Sequence, residues 1–228
     1  MCMYRVLFSV LCLAVIVPLT GCGRGGETGG QSFVAKSEPW RAEDERQCLA
    51  SGAVRESRYV QHRSALGGPS ACGAAQPFEM SGAGGGRVLM QPAAVLRCPM
   101  IPAVDRWVRD VVEPAARFHF GVPVQRLQVA ASYSCRPINH KWGAKLSEHG
   151  LANALDIAAF ELADGRKITV KGGWWGDVRE RAFLRSVHRG ACDTFSTVLG
   201  PHADVYHRDH FHMDLARHGK DGSFRVCK

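Results

Sequence analysis

Nine cysteines are spread along 228 residues, and their placement restricts the fold more than any other feature. Cys2 and Cys12 fall in or beside an N-terminal apolar run, residues 6–19, which is short for a membrane span and follows one basic residue, Arg5. Such a segment reads as an export signal. Cys22 comes directly after the small-residue cleavage site Leu19-Thr20-Gly21, at the expected mature N-terminus. Six cysteines then remain: Cys48, Cys72, Cys98, Cys135, Cys192 and Cys227. The number is even, export leads to an oxidising compartment, and no CxxC pair suggests a metal or redox centre. Three disulfides are therefore expected, with about fifteen pairings open.

The stretch Leu19-Thr20-Gly21-Cys22 resembles a bacterial lipobox, so residues 1–21 are expected to be a lipoprotein signal peptide and Cys22 a lipidated residue. Buried lipid methylenes contribute about 0.8 kcal/mol each, enough in combination to hold a protein on a membrane. Gly23 is not the aspartate associated with retention at the inner membrane, which favours the outer one. Residues 22–43 are mainly Gly, Ser, Glu and Lys and read as a flexible tether, leaving residues 44–228 as one folded domain. The formal charge of +8 suits an anionic partner: phospholipid, cell wall or nucleic acid. Nucleic acid fits poorly, because the chain is exported and its arginines are scattered without stacking aromatics.

Regular structure is clearest after Cys98. Val104, Trp107, Val108, Val111 and Ala115 share one helical face, predicting an amphipathic helix over residues 102–119 with Trp107 in the core. Residues 126–133, 154–162 and 166–170 read as strands, the last two joined in a hairpin at Asp164-Gly165. Asp177 precedes Glu180 by three residues, as in a capping box, and opens a helix over residues 178–189 that Gly190 stops. Alternation over residues 210–215 gives a last strand, while residues 67–86, rich in glycine, read as loop around short strands. Trp174 and Trp175 are expected to pack rather than to line a groove. The predicted fold is α+β, an antiparallel sheet with flanking helices, stabilised by disulfides.

Two segments carry side chains suited to chemistry: SEHGLANALD at residues 147–156 and HRDHFHMD at residues 207–214. On the first strand Asp156, Ala158 and Phe160 would share a face, and an aspartate in so apolar a strand needs a partner for its charge. On the last strand His210, His212 and Asp214 would project together. Three ligands of histidine and carboxylate type leave the fourth position of zinc to water, as in a hydrolytic site, and Asp209 and His210 are candidate bases. The plainer alternatives are surface histidines, and aspartates paired with some of the many arginines.

The pattern SxHxxxxAxD followed by DxxH and HxH resembles zinc peptidases of the D-alanyl-D-alanine carboxypeptidase, phage endolysin and hedgehog superfamily. SYSCR at residues 132–136, LSEH, ALDIAAF, LADGR, FLRSVHRGAC, TVLGP and HRDHFHMD more closely resemble the bacterial extensin-like C-terminal domain family. The resemblance implies a fold of the hedgehog and carboxypeptidase kind, with His149, Asp156 and His212 as zinc ligands. It implies Asp209 or His210 as the base, Arg136 on the substrate carbonyl or carboxylate, and Ser147 beside the substrate. Where the superfamily usually has glycine this chain has Ala152, which is penalised if the backbone there takes a positive φ. The implied function is a lipid-anchored zinc metallopeptidase of the cell envelope, facing the periplasm and cutting peptide stems of peptidoglycan. The alternative is a non-catalytic peptidoglycan-binding or scaffolding lipoprotein that retains the metal site.

Overall fold

The structure, a computed structural model, describes residues 33–67 and 71–228. The export signal, Cys22 and residues 22–32 of the expected tether lie outside the described residues. Among the described residues, no helix is long and apolar enough to cross a membrane.

In chain order, α1 (Trp40–Ala50) precedes β1 (Val60–His62), β2 (Phe78–Ala83) and β3 (Val88–Leu96). Then α2 (Met100–Trp107), a π-helical turn (Val108–Val112) and α3 (Glu113–Phe120) follow one another without leaving helical dihedrals. Left-handed Gly121 ends this rod, its N–H returning to the Arg117 carbonyl. β4 (Val124–Ala131), β5 (Ala154–Leu162), β6 (Lys167–Thr169), the short α4 (Val170–Gly173), α5 (Val178–Ala191), β7 (Thr197–Leu199), β8 (Phe211–Asp214) and β9 (Val226–Cys227) complete the domain. The Asp177 carboxylate caps α5 by accepting from the N–H groups of Arg179 and Glu180.

The strands form one sheet in the order β1-β2-β3-β4-β5-β8-β7-β9, with β6 also on β5. The sheet is mixed rather than antiparallel as expected, because β3 pairs with β4 and β7 with β9 in parallel. A parallel pair needs a long crossover, and the helical rod between β3 and β4 supplies it. β3 is hidden in the sequence by Pro92, which cannot donate to a ladder. Pro92 falls in the gap where the β2–β3 register jumps from Met80↔Ala94 to Gly82↔Leu89.

One face of the sheet packs on the rod and α5. Trp107, Phe160, Phe183, Phe195 and Phe211 are fully buried there. Their rings meet edge to face, with Phe160 and Phe183 at 5.2 Å and Trp107 and Phe160 at 6.1 Å between centroids. The Trp107 indole N–H donates to the Val187 carbonyl at 3.0 Å, so its polar edge is satisfied inside the core. Trp174 is buried as expected, whereas Trp175 and Trp142 are exposed.

Three disulfides close the expected framework: Cys48–Cys98, Cys72–Cys135 and Cys192–Cys227. The first fastens α1 to the segment leaving β3. Regular structure begins earlier than Asp44, since α1 starts at Trp40 and buries Arg41 and Glu45. The Trp40 ring lies against the guanidinium groups of Arg41 and Arg217.

One irregularity decides which side chains reach the other face of the sheet. Along β4 and β5 the register runs Gln128↔Ala159 and then Val129↔Ile157, so β5 carries one extra residue at Ala158. A bulge of this kind reverses the alternation beyond it. Phe160 therefore enters the core together with Leu155 and Ile157, and not on the face of Asp156 as simple alternation predicts.

Candidate metal centre

β5 and β8 are antiparallel neighbours in a register that sets Asp156 opposite His212. Leu155, Ile157, Phe211 and Met213 point into the core, so Asp156, His212 and Asp214 emerge on the opposite face. His149 reaches the same place from the 3₁₀ turn Glu148–Leu151, whose start is capped by the Ser147 hydroxyl accepting from the His149 N–H. The turn ends at Ala152 with φ 51° and ψ 28°, the left-handed conformation that disfavours a residue with a Cβ. Neighbouring backbone fixes it there, as the Arg97 N–H donates to the Ala152 carbonyl at 2.9 Å.

His149, Asp156 and His212 are all buried, and their ligating atoms converge. His149 Nε2 lies 3.1 Å from Asp156 Oδ2 and 3.1 Å from His212 Nδ1, which is 2.9 Å from Asp156 Oδ1. The outer nitrogens determine where the protons sit. His149 Nδ1 is 2.6 Å from the Ser132 carbonyl oxygen, which can only accept, so Nδ1 carries the proton of the neutral ring. His212 Nε2 likewise donates to Asp214 Oδ2 at 2.9 Å. Two imidazole lone pairs and a carboxylate thus face one another, an arrangement that requires a cation between them. The donor set fits a divalent metal, and the carboxylate and carbonyl behind the rings are the outer contacts that orient metal-binding histidines.

Electrostatics give the same result. Burial raises the Asp156 carboxyl and lowers the His212 imidazole, but their mutual hydrogen bonds override it in both cases. Asp156 ends well below the usual carboxylate range through His149 and His212, and His212 is pushed up to about 10 by Asp156 and Asp214. Burial raises Asp214 too, yet His212, Thr197 and the Ala216 N–H hold it low. In the metal-free protein a proton on His212 therefore serves as the missing cation.

A second layer comes from contacts the motifs do not reveal. Glu148, next to His149, receives a bidentate ion pair from Arg41 of α1 at 2.5 and 2.8 Å, and a hydrogen bond from Asn153 at 2.6 Å. The Arg41 carbonyl accepts in turn from buried Arg97. Among the described residues a second group, His188 with Cys192 and Cys227, also has metal-ligand atoms close together, but its cysteines are joined in a disulfide and offer no thiolate.

The triad opens onto a cleft of about 670 Å³, lined also by Arg136, Ser147, His207 and His210. His210 directs Nδ1 to Asp209 Oδ1 at 2.8 Å, while Nε2 stands 3.7 Å from Asp156 Oδ2. Asp209, with its side chain 62% exposed, reaches the triad through His210. His207 forms a similar pair with Asp204 at 2.8 Å. Burial lowers the His207 pKa, with Asp204 opposing.

Three outcomes follow from this geometry. The raised pKa of His212 stabilises the metal-free protein fully below its unfolded value of about 6.5, and that contribution is lost as pH rises through about 10. Thermal melts in chelator should decline over that range, and saturating metal, which displaces the proton, should abolish the decline. Asp214→Asn should weaken metal affinity about 10- to 100-fold in competition titrations. Ala152→Gly should raise unfolding stability by about 1 kcal/mol in urea, because it relieves the left-handed alanine.

No curated protein and no solved structure matches the chain. The match to a family described as extensin-like protein C-terminus extends over residues 46–228 and takes in the triad and every cleft group named above except Arg41, so the chain belongs to that family.

Proposed function

We propose that the protein is a zinc-dependent peptidase of the cell envelope, lipid-anchored through Cys22, exposed to the periplasm and acting on the peptide stems of peptidoglycan. The observation that carries this reading is the convergence of three acceptor groups, His149, Asp156 and His212, with one side open to a cleft. Two imidazoles and one carboxylate are a donor set that suits zinc and leaves a position for water, as hydrolytic centres require. When bound, the metal would polarise the scissile carbonyl and acidify a water molecule. The resemblance of SxHxxxxAxD, DxxH and HxH to the carboxypeptidase and hedgehog superfamily supports the same chemistry. The export signal, the three disulfides and the charge of +8 suit an anionic wall outside the cytoplasm.

In this reading His210 takes a proton from the attacking water and passes it to the leaving amine, so water adds across the C–N bond with no net proton change. Asp209 fixes the ring through Nδ1 and so directs Nε2 inward. Arg136 lines the same cleft and would stabilise the oxyanion or a terminal carboxylate. Ser147 caps the turn that presents His149, which keeps the ligand in place from beside the substrate.

The test is to purify the oxidised protein, measure bound zinc, and incubate it with peptidoglycan and soluble stem fragments under mass spectrometry. Stoichiometric zinc and a released fragment are expected. His149→Ala should lose both, and the Asp209→Ala/His210→Ala double variant should retain zinc and lose at least 100-fold in rate. Zinc without product from any wall substrate would favour a wall-binding or scaffolding lipoprotein instead, and absence of zinc would remove the metal assignment.

A further inference from the structure

Residues 33–45 precede the family-matched segment, yet they contribute to the cleft. Val34, Ala35, Lys36 and Glu38 line it together with Arg136 and His149. Val34 is held by main-chain pairing: its N–H donates to the Ala144 carbonyl at 2.9 Å, and its carbonyl accepts from the Leu146 N–H at 3.0 Å. The result is a parallel bridge onto the outer edge of residues 144–146. The inner edge of that segment already pairs with residues 136–138, through Ile138 N–H to Lys145 at 2.9 Å and Ser147 N–H to Arg136 at 3.0 Å. Val34 is thus the third strand of a small ribbon that carries Arg136 and runs directly into Ser147 and His149.

We infer that the outer edge at Ala144 and Leu146 is a docking rail for an extended peptide, occupied in this chain by the Val34 segment as an internal stand-in. The inference rests on the peptide-cleaving reading above and adds how the substrate is held. Strand addition takes its affinity from main-chain hydrogen bonds and accepts many side chains. An edge with one carbonyl and one N–H turned outward is a template for it. The occupant is easily displaced: Val34 is 56% exposed and engages the rail through two backbone hydrogen bonds. A peptide seated in the same way lies along the wall of the cleft, beside the turn that presents His149.

The test uses the full oxidised, metal-loaded protein and a fluorescent peptide with the sequence of residues 32–37, Ser-Phe-Val-Ala-Lys-Ser. Val34→Pro removes the N–H that donates to Ala144 and should free the rail. Peptide affinity by fluorescence polarisation should then rise at least tenfold over wild type, with zinc content and circular dichroism unchanged. The same peptide carrying N-methylvaline lacks the donor and should bind at least tenfold more weakly to the variant. Equal affinity in wild type and variant, or indifference to N-methylation, would overturn the inference. Because binding is read without turnover, failure of the peptidase assay and failure of the rail are separate results.

Discussion

The site depends on a buried carboxylate whose charge must be matched from within its own cluster. Asp156 sits in a strand whose neighbours are Leu155 and Ile157, almost out of contact with water. Transferring such a charge to the interior is costly unless it is paired. Its partners are two histidines whose neutral-ring protons are committed outward, to the Ser132 carbonyl and to Asp214. Without a proton on His212 the group lacks a positive charge at its centre, and that deficit marks it as a candidate metal site. The β5–β8 register and the turn carrying His149 are the parts of the fold that bring this deficit together.

Much of the site was legible because its side chains are out of place in their surroundings. An aspartate between leucine and isoleucine, and histidines alternating with phenylalanine and methionine, are visible without a structure. Asp214 was visible as a member of the same strand face, but its contact with His212 Nε2 depends on ring orientation, which spacing does not encode. The pairing of Arg41 with Glu148 joins residues 107 apart and left no local signature. In the fold, the helical rod after Cys98 and α5 were legible from their apolar faces, as was the hairpin turn, whereas α1 has no apolar face to reveal it and its first residues read as tether. The parallel pairings were not, because Pro92 interrupts β3 and because β9, two residues long, is too short to show a pattern. The bulge at Ala158 moved Phe160 to the core for a related reason, since alternation holds only until an extra residue intervenes.

Support for the candidate metal ligands comes from parts of the chain far apart in sequence. α1 is fastened to the sheet by Cys48–Cys98, and from that position Arg41 grips Glu148 beside the first ligand. Ser134 donates to the His149 carbonyl and Gly73 to the Gly150 carbonyl, so the turn is bound on two sides. The left-handed Ala152 is the strain that these contacts tolerate. A turn so heavily constrained can present an imidazole in one orientation, which is what metal ligation needs.

The Cys72–Cys135 bond links the two segments that supply those turn contacts, and Cys135 lies three residues from the carbonyl that sets the tautomer of His149. That bond therefore clamps both sides of the His149 turn at once, from outside the candidate ligand set. With the bond reduced, the chain keeps the same histidines and aspartate but loses one tie between the two segments that align them. Thiol chemistry is thereby tied to the geometry of the candidate metal centre.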